Sequence, residues 1–271
     1  MKSSTVQVST IIPTFRRPRE LEEAVRSVLA QEGVALEVWV VDDSPEGSAR
    51  KVVERVARPH VHYLAMPTPS GGRPGAVRNH GLPHACGTYV HFLDDDDLVP
   101  HGHYRRAVSD LDSRPGFVAL FGRVAPFGID EGKLDHEYTF FNHADRQARF
   151  CQQLGARWGF AAVQSFLSTM LVCSAGLLRR TCVESVGGFD PEVRLVEDVD
   201  LYARIFQRFD VLYLDEVTVH YRIGDSLMQS RPNNDAIVQS YRRMHKRYHD
   251  ELGTFRFLLL KAMARTLFRL L

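Results

Sequence analysis

The run of four aspartates from Asp94 to Asp97 is the part of the sequence whose residue types most clearly indicate chemistry. It follows a short apolar run, 89–93, whose composition predicts a strand buried on both faces. Mg²⁺ and Mn²⁺ take oxygen ligands, so carboxylates at a strand end can hold such a cation against a diphosphate. An acidic turn in water is the alternative, but like charges crowded at a strand end repel, and a bound cation relieves that repulsion.

Two further acidic pairs stand at element boundaries. Asp42 and Asp43 follow the apolar run 36–41, and Glu197 with Asp198 opens a segment whose apolar spacing predicts a helix. A phosphatase that uses Asp94 and Asp96 is a competing interpretation of the first cluster. It would place its nucleophile after the first strand and would not have leucine at position 98.

The elements that must position these acids alternate between strand and helix patterns in the first half. Strands are predicted at 6–13, 36–41, 61–66, 89–93 and 117–121, and helices at 18–31, 46–56, 75–85 and 101–111. This order predicts an α/β fold with a mostly parallel central sheet and helices on both faces. Ligands of such sheets bind beyond the carboxyl ends of the strands, where the acidic runs lie.

The second half has weaker periodicity. Residues 122–164 show no clear period, 165–173 resembles a strand, 196–209 a helix, 211–221 an extended segment, and 231–248 and 254–271 helices. No Pro/Gly/Ser-rich linker separates the halves. We therefore expect one domain over 1–230, with its two halves at about 1–122 and 123–230, and a C-terminal helical extension over 231–271.

Composition excludes several classes of protein. The chain has 271 residues and a formal net charge of +1, which does not support whole-molecule attraction to nucleic acid. It has no apolar run of about 18 residues that could span a membrane, and residues 1–12 do not resemble a secretory signal. The four cysteines show no metal-binding spacing, which favours reduced thiols and a cytoplasmic location.

The last segment is predicted to be an amphipathic helix. Its apolar residues, from Phe255 through Leu258 and Leu259, follow helical spacing, while Lys261 and Arg265 lie on another face with Arg269. A basic amphipathic helix can lie on an anionic membrane, which would place the protein peripherally on the inner face. Packing on the domain or on a second copy in a homodimer is the alternative.

Several motifs in order resemble the family 2 glycosyltransferases, which are inverting enzymes of the GT-A fold. They are VSTIIPTF (8–15), SVLAQ (27–31), VVDDS (40–44), AVRNHG (76–81), GTY (87–89), FLDDDD (92–97), GGFD (187–190) and VEDVDL (196–201). The resemblance covers about residues 6–225. It implies transfer of a sugar from a nucleotide-diphosphate sugar, usually UDP-linked, to a hydroxyl of a glycan, glycolipid or small molecule.

The resemblance also assigns sugar-donor contacts to particular residues. Pro13 and Phe15 would meet the base, with the ring of Phe15 stacked on it unless Phe15 is a core aromatic. Asp43 would accept a hydrogen bond from the base, while Asp42 orients the loop or reaches the ribose. Arg73 would bind the diphosphate, and Arg78 is the alternate candidate.

The metal and the catalytic base are implied in the same way. Asp96 matches the ligand of Mn²⁺ or Mg²⁺, and Asp94 or Asp95 would contact the ribose, with the register of the run open by one residue. Asp198 matches the base that deprotonates the acceptor hydroxyl. Arg222 would contact phosphate, whereas the histidine that many relatives carry two residues after it is replaced by Gly224.

Two other functions stay open at this point. A nucleotidyltransferase would use similar carboxylates but would carry a glycine-rich phosphate loop after the first strand, and residues 13–17 contain no glycine. A catalytically inactive sugar-nucleotide-binding protein would have lost its base or its metal ligand, and both positions keep their acids.

Overall fold

The structure, a computed structural model, describes residues 6–153, 157–167, 171–224 and 234–267. Its strands are β1 (Val8–Thr14), β2 (Leu36–Asp42), β3 (Val61–Ala65), β4 (Tyr89–Phe92), β5 (Phe117–Gly128), β6 (Leu177–Arg179) and β7 (Asp210–Ile223). Its helices are α1 (Pro18–Leu29), α2 (Arg50–Val56), α3 (Pro74–Gly81), α4 (His103–Ser113), α5 (Glu131–Gln153), α6 (Arg157–Phe166), α7 (Arg180–Ser185), α8 (Glu197–Arg208) and α9 (Asn234–Leu267). In the first half, each predicted strand and helix is confirmed to within a few residues at its ends, except that β5 runs further.

The strands form one sheet in the order β3-β2-β1-β4-β6-β5-β7. Only β6 runs antiparallel to its neighbours β4 and β5, so the predicted mostly parallel sheet is confirmed. Successive residues of β1 point to opposite faces of the sheet, and Ile11 and Ile12 accordingly belong to different apolar clusters. Both faces are therefore covered, and the carboxyl ends of β1, β2 and β4 meet at one edge.

The lack of a clear period over 122–164 suggested irregular structure, and this interpretation is wrong. Strand β5 continues to Gly128 and is followed by α5 and α6, with residues 154–156 outside the described ranges. Register shifts between β5 and β7 disrupt the alternation that would mark a long strand. In α5, the buried residues lie only in the C-terminal half, from Phe141 to Cys151, so the full helix has no continuous apolar stripe.

The predicted strand over 165–173 is also wrong. Residues 165 and 166 end α6, and Cys173–Ala175 form a 3₁₀ turn, while 168–170 lie outside the described residues. Only Ser165 and Phe166 of the apolar run that suggested a strand belong to this helix. A short apolar run does not distinguish a buried helix end from a strand.

Helix α9 packs on the domain along both of its halves, which are separated by non-helical backbone at Gly253. Met244 and Tyr248 of the first half pack with Val199 and Ala203 of α8. Leu260 of the second half is buried in the main core. The predicted pair of C-terminal helices is confirmed over 234–267, and no helix of the described ranges is long and apolar enough to cross a membrane.

Candidate active site

The acidic run meets the end of β1 at the carboxyl edge of the sheet. The Thr14 hydroxyl donates to Asp95 Oδ2 at 2.7 Å, which ties this run to the neighbouring strand. Arg17, at the start of α1, places Nη1 2.6 Å from Asp96 Oδ2 and 3.4 Å from Asp95 Oδ1. The run is therefore a packed loop at the sheet edge rather than a free acidic turn.

Crowding and burial raise the pKa values of these carboxyls. Burial raises the pKa of Asp95 to about 7, and the charge of Asp96 adds to that shift. Burial and the nearby Asp94 also raise the pKa of Asp96, and they raise the pKa of the fully buried Asp97 well above its usual range. Negative charge at this edge is thus poorly compensated, which is the condition that a cation would relieve.

The residues at this edge fit a hard divalent cation held partly by its substrate. The described ranges contain no group of three or more His, Cys, Asp or Glu side chains placed to hold a metal. Mg²⁺-type sites commonly use one or two carboxylates and complete their coordination with phosphate oxygens and water. Asp96 is a carboxylate of this kind, and its Oδ2 is paired with Arg17.

A buried arginine joins the acidic run to α8. Arg78 is only 3% exposed, and its guanidinium donates to Asp94 Oδ1 at 2.5 Å and to Glu197 Oε1 at 2.6 Å. The same guanidinium lies 5.3 Å from the ring centroid of Phe189. Arg78 therefore connects the two halves of the chain and is committed to protein carboxylates.

Asp198 lies in the first turn of α8 beside this bridge. Its Oδ1 accepts a hydrogen bond from the Val199 N–H at 2.8 Å, and its side chain is partly exposed. Burial, followed by the charge of Glu197, raises the pKa of Asp198 to about 7, Asp94 adds to that rise, and Arg78 opposes it. Asp198 thus shares one electrostatic environment with Asp94, and a carboxylate with this pKa can accept a proton near neutral pH.

The other acids of the GGFD and VEDVDL motifs have structural partners. Asp200 is fully buried and accepts hydrogen bonds from Arg204 at 2.9 Å and from the Tyr248 hydroxyl at 3.1 Å. Arg247 of α9 binds Asp200 and also lies 2.5 Å from Asp190. These contacts fix α8 against α9. Asp198, in the same turn of α8, takes no part in them.

Asp42 and Asp43 have different roles at the end of β2. Asp42 is buried and accepts hydrogen bonds from the backbone N–H groups of Ser44 at 2.9 Å and Ala49 at 2.8 Å. It therefore orients the loop, which was one of its two predicted roles. Asp43 accepts hydrogen bonds from the N–H and hydroxyl of Ser70, both at 2.6 Å, which ties it to the loop that precedes α3.

The other predicted sugar-donor residues surround this edge. Pro13 pairs with Val41 within the sheet, and Phe15 is 46% exposed, so Phe15 is not a core aromatic. Arg73 is exposed at the start of α3, and its backbone N–H donates to Ser70 Oγ at 3.0 Å. Their contacts to a nucleotide stay predictions.

Arg222 makes contacts within the protein. Its Nε donates to the backbone carbonyl of Asp96 at 2.8 Å, its Nη2 lies 2.6 Å from Glu23, and its guanidinium lies 4.5 Å from the ring centroid of Phe127. Its backbone N–H donates to Asp97 at 2.9 Å. Arg222 therefore supports the acidic run through Asp96 and Asp97. Contact with phosphate would require a rearrangement of its side chain.

Sequence reasoning missed three residues that shape this site: Thr14, Arg17 and Ser70. Each pairs with an acid that the sequence had selected, but at a separation of 27 to 81 residues. The only available signal was that Thr14 ends β1 and Arg17 comes three residues later. No sequence period indicates such pairs, because they depend on which strands become neighbours.

The sheet order and the acidic strand end define an α/β protein of the GT-A, or nucleotide-diphospho-sugar transferase, type. A family model described as "Glycosyl transferase family 2" matches residues 9–172. The chain belongs to this family, and the fold expected from its motifs is confirmed.

Curated relatives match parts of the chain. The chain is 33% identical over 138 residues to the GalNAc(5)-diNAcBac-PP-undecaprenol beta-1,3-glucosyltransferase of Campylobacter jejuni, covering 49% of this chain and 42% of that protein. It is 32% identical over 113 residues to the succinoglycan biosynthesis protein ExoO of Rhizobium meliloti, covering 42% and 32%. The chain thus spans less than half the length of these relatives.

A solved structure supports the fold. The crystal structure of S. aureus TarS 1-349 in complex with UDP-GlcNAc superposes with a TM-score of 0.72 at 18% identity, covering 96% of this chain and 71% of that one. At this identity the similarity concerns the fold alone.

Proposed function

We propose that the chain is an inverting glycosyltransferase that moves a sugar from a nucleotide-diphosphate sugar to a hydroxyl of a glycan or glycolipid acceptor. The observation that carries the proposal is the Arg78 bridge, which holds Asp94 and Glu197 and thereby places Asp198 near the acidic strand end. A sugar nucleotide at this edge would have its diphosphate near the acidic run and its anomeric carbon toward α8.

The sugar donor would lie across the ends of β1 and β2. Phe15, which is exposed, would stack on the base, with Pro13 and Asp43 at its edge and Arg73 toward the diphosphate. Asp94 or Asp95 would contact the ribose. A UDP-linked sugar is the proposed substrate class, and the UDP-GlcNAc complex of TarS makes that compound a reasonable first probe.

Asp96 would hold Mg²⁺ or Mn²⁺. A cation held there would supply positive charge against the diphosphate of the departing nucleotide. Arg17 Nη1 lies 2.6 Å from Asp96 Oδ2, so a cation at Asp96 would share this carboxylate with Arg17 or displace it.

Asp198 would act as the base on the acceptor hydroxyl. It takes the hydroxyl proton as the oxygen attacks the anomeric carbon on the face opposite the diphosphate. A bond forms between that oxygen and the anomeric carbon, the bond from the carbon to the diphosphate oxygen breaks, and the configuration inverts. One base and direct displacement are sufficient for this chemistry.

A glycan or glycolipid acceptor and a cytoplasmic location complete the proposal. The names of two relatives refer to an undecaprenol-linked acceptor and to succinoglycan biosynthesis, which favours polysaccharide assembly as the process. All four cysteines are free thiols, as in a reducing compartment. An inactive sugar-nucleotide-binding protein is the less favoured alternative, because its raised-pKa base would have no role.

Thermal stabilisation by sugar nucleotides tests the metal and the sugar donor together. We expect UDP-GlcNAc or another UDP-sugar to raise the melting temperature only when Mn²⁺ is present, since ligands stabilise the state that they bind. Asp96→Ala should abolish this shift, whereas the control Asp250→Ala, at an exposed acid, should keep it. Equal shifts in Asp96→Ala and the parent protein would exclude Asp96 as the ligand, and a shift with nucleoside triphosphates alone would favour a nucleotidyltransferase.

The pH dependence of transfer tests the proposed base. Asp198 must be ionised to accept a proton, so with its pKa at about 7 the rate should rise with pH and level off above that value. The pKa of Asp198 in the folded protein lies above that of a carboxyl in the unfolded chain, so protonation of Asp198 stabilises the folded protein. This contribution to stability is present at low pH and is lost as pH rises through 7. Initial rates at saturating substrate between mildly acidic and mildly alkaline pH give the profile, and a flat profile would contradict the assignment.

A further inference from the structure

The second half of α9, residues 254–267, presents an uncovered apolar face. Phe255 is 79% exposed, Leu258 55% and Leu259 46%, and their spacing of three and four residues places them on one side of the helix. On the other side, Leu260 and Ala264 are fully buried in the main core. The helix is thus anchored to the domain, and its apolar face cannot turn inward.

The same segment is strongly cationic, although the whole chain is almost neutral. Residues 254–267 contain no aspartate or glutamate, whereas Arg256, Lys261 and Arg265 all lie there. Arg256 and Arg265 are exposed. Within the described ranges, Arg256, Lys261 and Arg265 take part in no ion pair.

We propose that this segment lies on an anionic lipid surface, with Phe255, Leu258 and Leu259 inserted at the headgroup boundary and the basic side chains against lipid phosphates. An apolar face flanked by cations is the pattern of interfacial helices, and anionic lipid attracts each basic residue near the surface. The long arginine and lysine stems reach outward from the edges of the apolar face.

Charge also argues against a second copy as the occupant. A twofold contact places the same patch of both subunits face to face, so the basic side chains of one copy would face those of the other with no acid in the segment to compensate. An anionic membrane supplies the missing negative charge. This inference goes beyond the transfer reaction and does not depend on it.

Sedimentation with lipid vesicles tests the proposal on the full chain. Vesicles of phosphatidylcholine alone are compared with vesicles of equal parts phosphatidylcholine and phosphatidylglycerol, at low and high salt. We expect the protein to pellet with the anionic vesicles at low salt, to be released by high salt, and to stay in solution with phosphatidylcholine alone. Equal binding to both vesicles, or to neither, would overturn the proposal.

Surface variants localise the contact. Phe255→Ser with Leu258→Ser should weaken partitioning by about tenfold or more, since two exposed apolar side chains would no longer enter the boundary. Arg256→Gln with Arg265→Gln should weaken it by about fivefold for each charge. The matched control is Val238→Ser, which removes a 45% exposed apolar side chain from the first half of α9 and should have no effect.

The alternative occupant gives a different result. If Phe255→Ser with Leu258→Ser converts a dimer to a monomer in analytical ultracentrifugation while no vesicle is bound, the face is a subunit interface and the lipid proposal is wrong. An equal loss with Val238→Ser would also contradict it. Melting temperatures confirm that the variants fold, and the UDP-sugar shift, measured without lipid, tests the transfer function separately.

Discussion

Asp198→Asn should lower the turnover number for sugar transfer by about 10²- to 10⁴-fold, because the amide cannot take a proton from the acceptor hydroxyl. The substitution changes one atom of a partly exposed side chain, and the amide oxygen can still accept the Val199 N–H. We therefore expect an unchanged melting temperature and an unchanged stabilisation by a UDP-sugar with Mn²⁺. Initial rates of nucleotide release with acceptor give the turnover number.

Glu197→Gln provides the matched comparison one residue away. Glu197 raises the pKa of Asp198, so removing its charge should move the rising limb of the pH–rate profile to lower pH while leaving substantial activity. The two neighbouring substitutions therefore predict different outcomes, one a loss of turnover and the other a shift in pH dependence. Near-normal turnover in Asp198→Asn would show that another group deprotonates the acceptor.

The sequence predicted the first half of the fold, about residues 1–122, well because its signals are local. Strands β1, β2 and β4 are short runs that are buried almost throughout, and α1 begins at Pro18 with buried residues at Leu21, Val25 and Val28. Such runs indicate a buried strand or helix whatever they pack against. The carboxyl ends of these strands, and hence the position of the acidic runs, followed from the parallel topology.

The second half of the domain, residues 123–230, resisted prediction because its elements depend on distant partners. Strand β5 is long only because it pairs along β7, whose residues come about 90 positions later in the register. Helix α5 has too few buried positions in its first half to show a period. Where residues are buried by a distant part of the chain, the local sequence pattern does not indicate that burial.

The candidate site likewise has features that the sequence predicted and features that it did not. The acids could be selected from their residue types and their places after strands, but their partners could not. Arg78 was the alternate candidate for the diphosphate contact, yet it pairs with Glu197 at a separation of 119 residues and with Asp94. A buried arginine between two carboxylates depends on tertiary packing that no motif specifies.

Arg78→Met should destabilise the protein by about 3–5 kcal/mol, the usual cost of removing one partner from a buried ion-pair network. Arg78 is 3% exposed and holds Asp94 and Glu197, so methionine fills part of the space but leaves both carboxylates without their cation. Urea unfolding in buffer without metal measures the change. Because Arg78 also holds down the pKa of Asp198, the rising limb of the pH–rate profile should move to higher pH in whatever protein remains folded.

Arg26→Met is the control for loss of an arginine from an ion pair at the surface. Arg26 pairs with Glu22 at 2.7 Å, but its side chain is 62% exposed, and such pairs contribute about 0–1 kcal/mol. The double variant Arg78→Met with Glu197→Gln should recover part of the lost stability, because it no longer buries an unpaired Glu197 charge. If Arg78→Met costs no more than Arg26→Met, then Arg78 does not hold the two halves of the site together, and the placement of Asp198 beside the acidic strand end must depend on the packing of α8 and α9 alone.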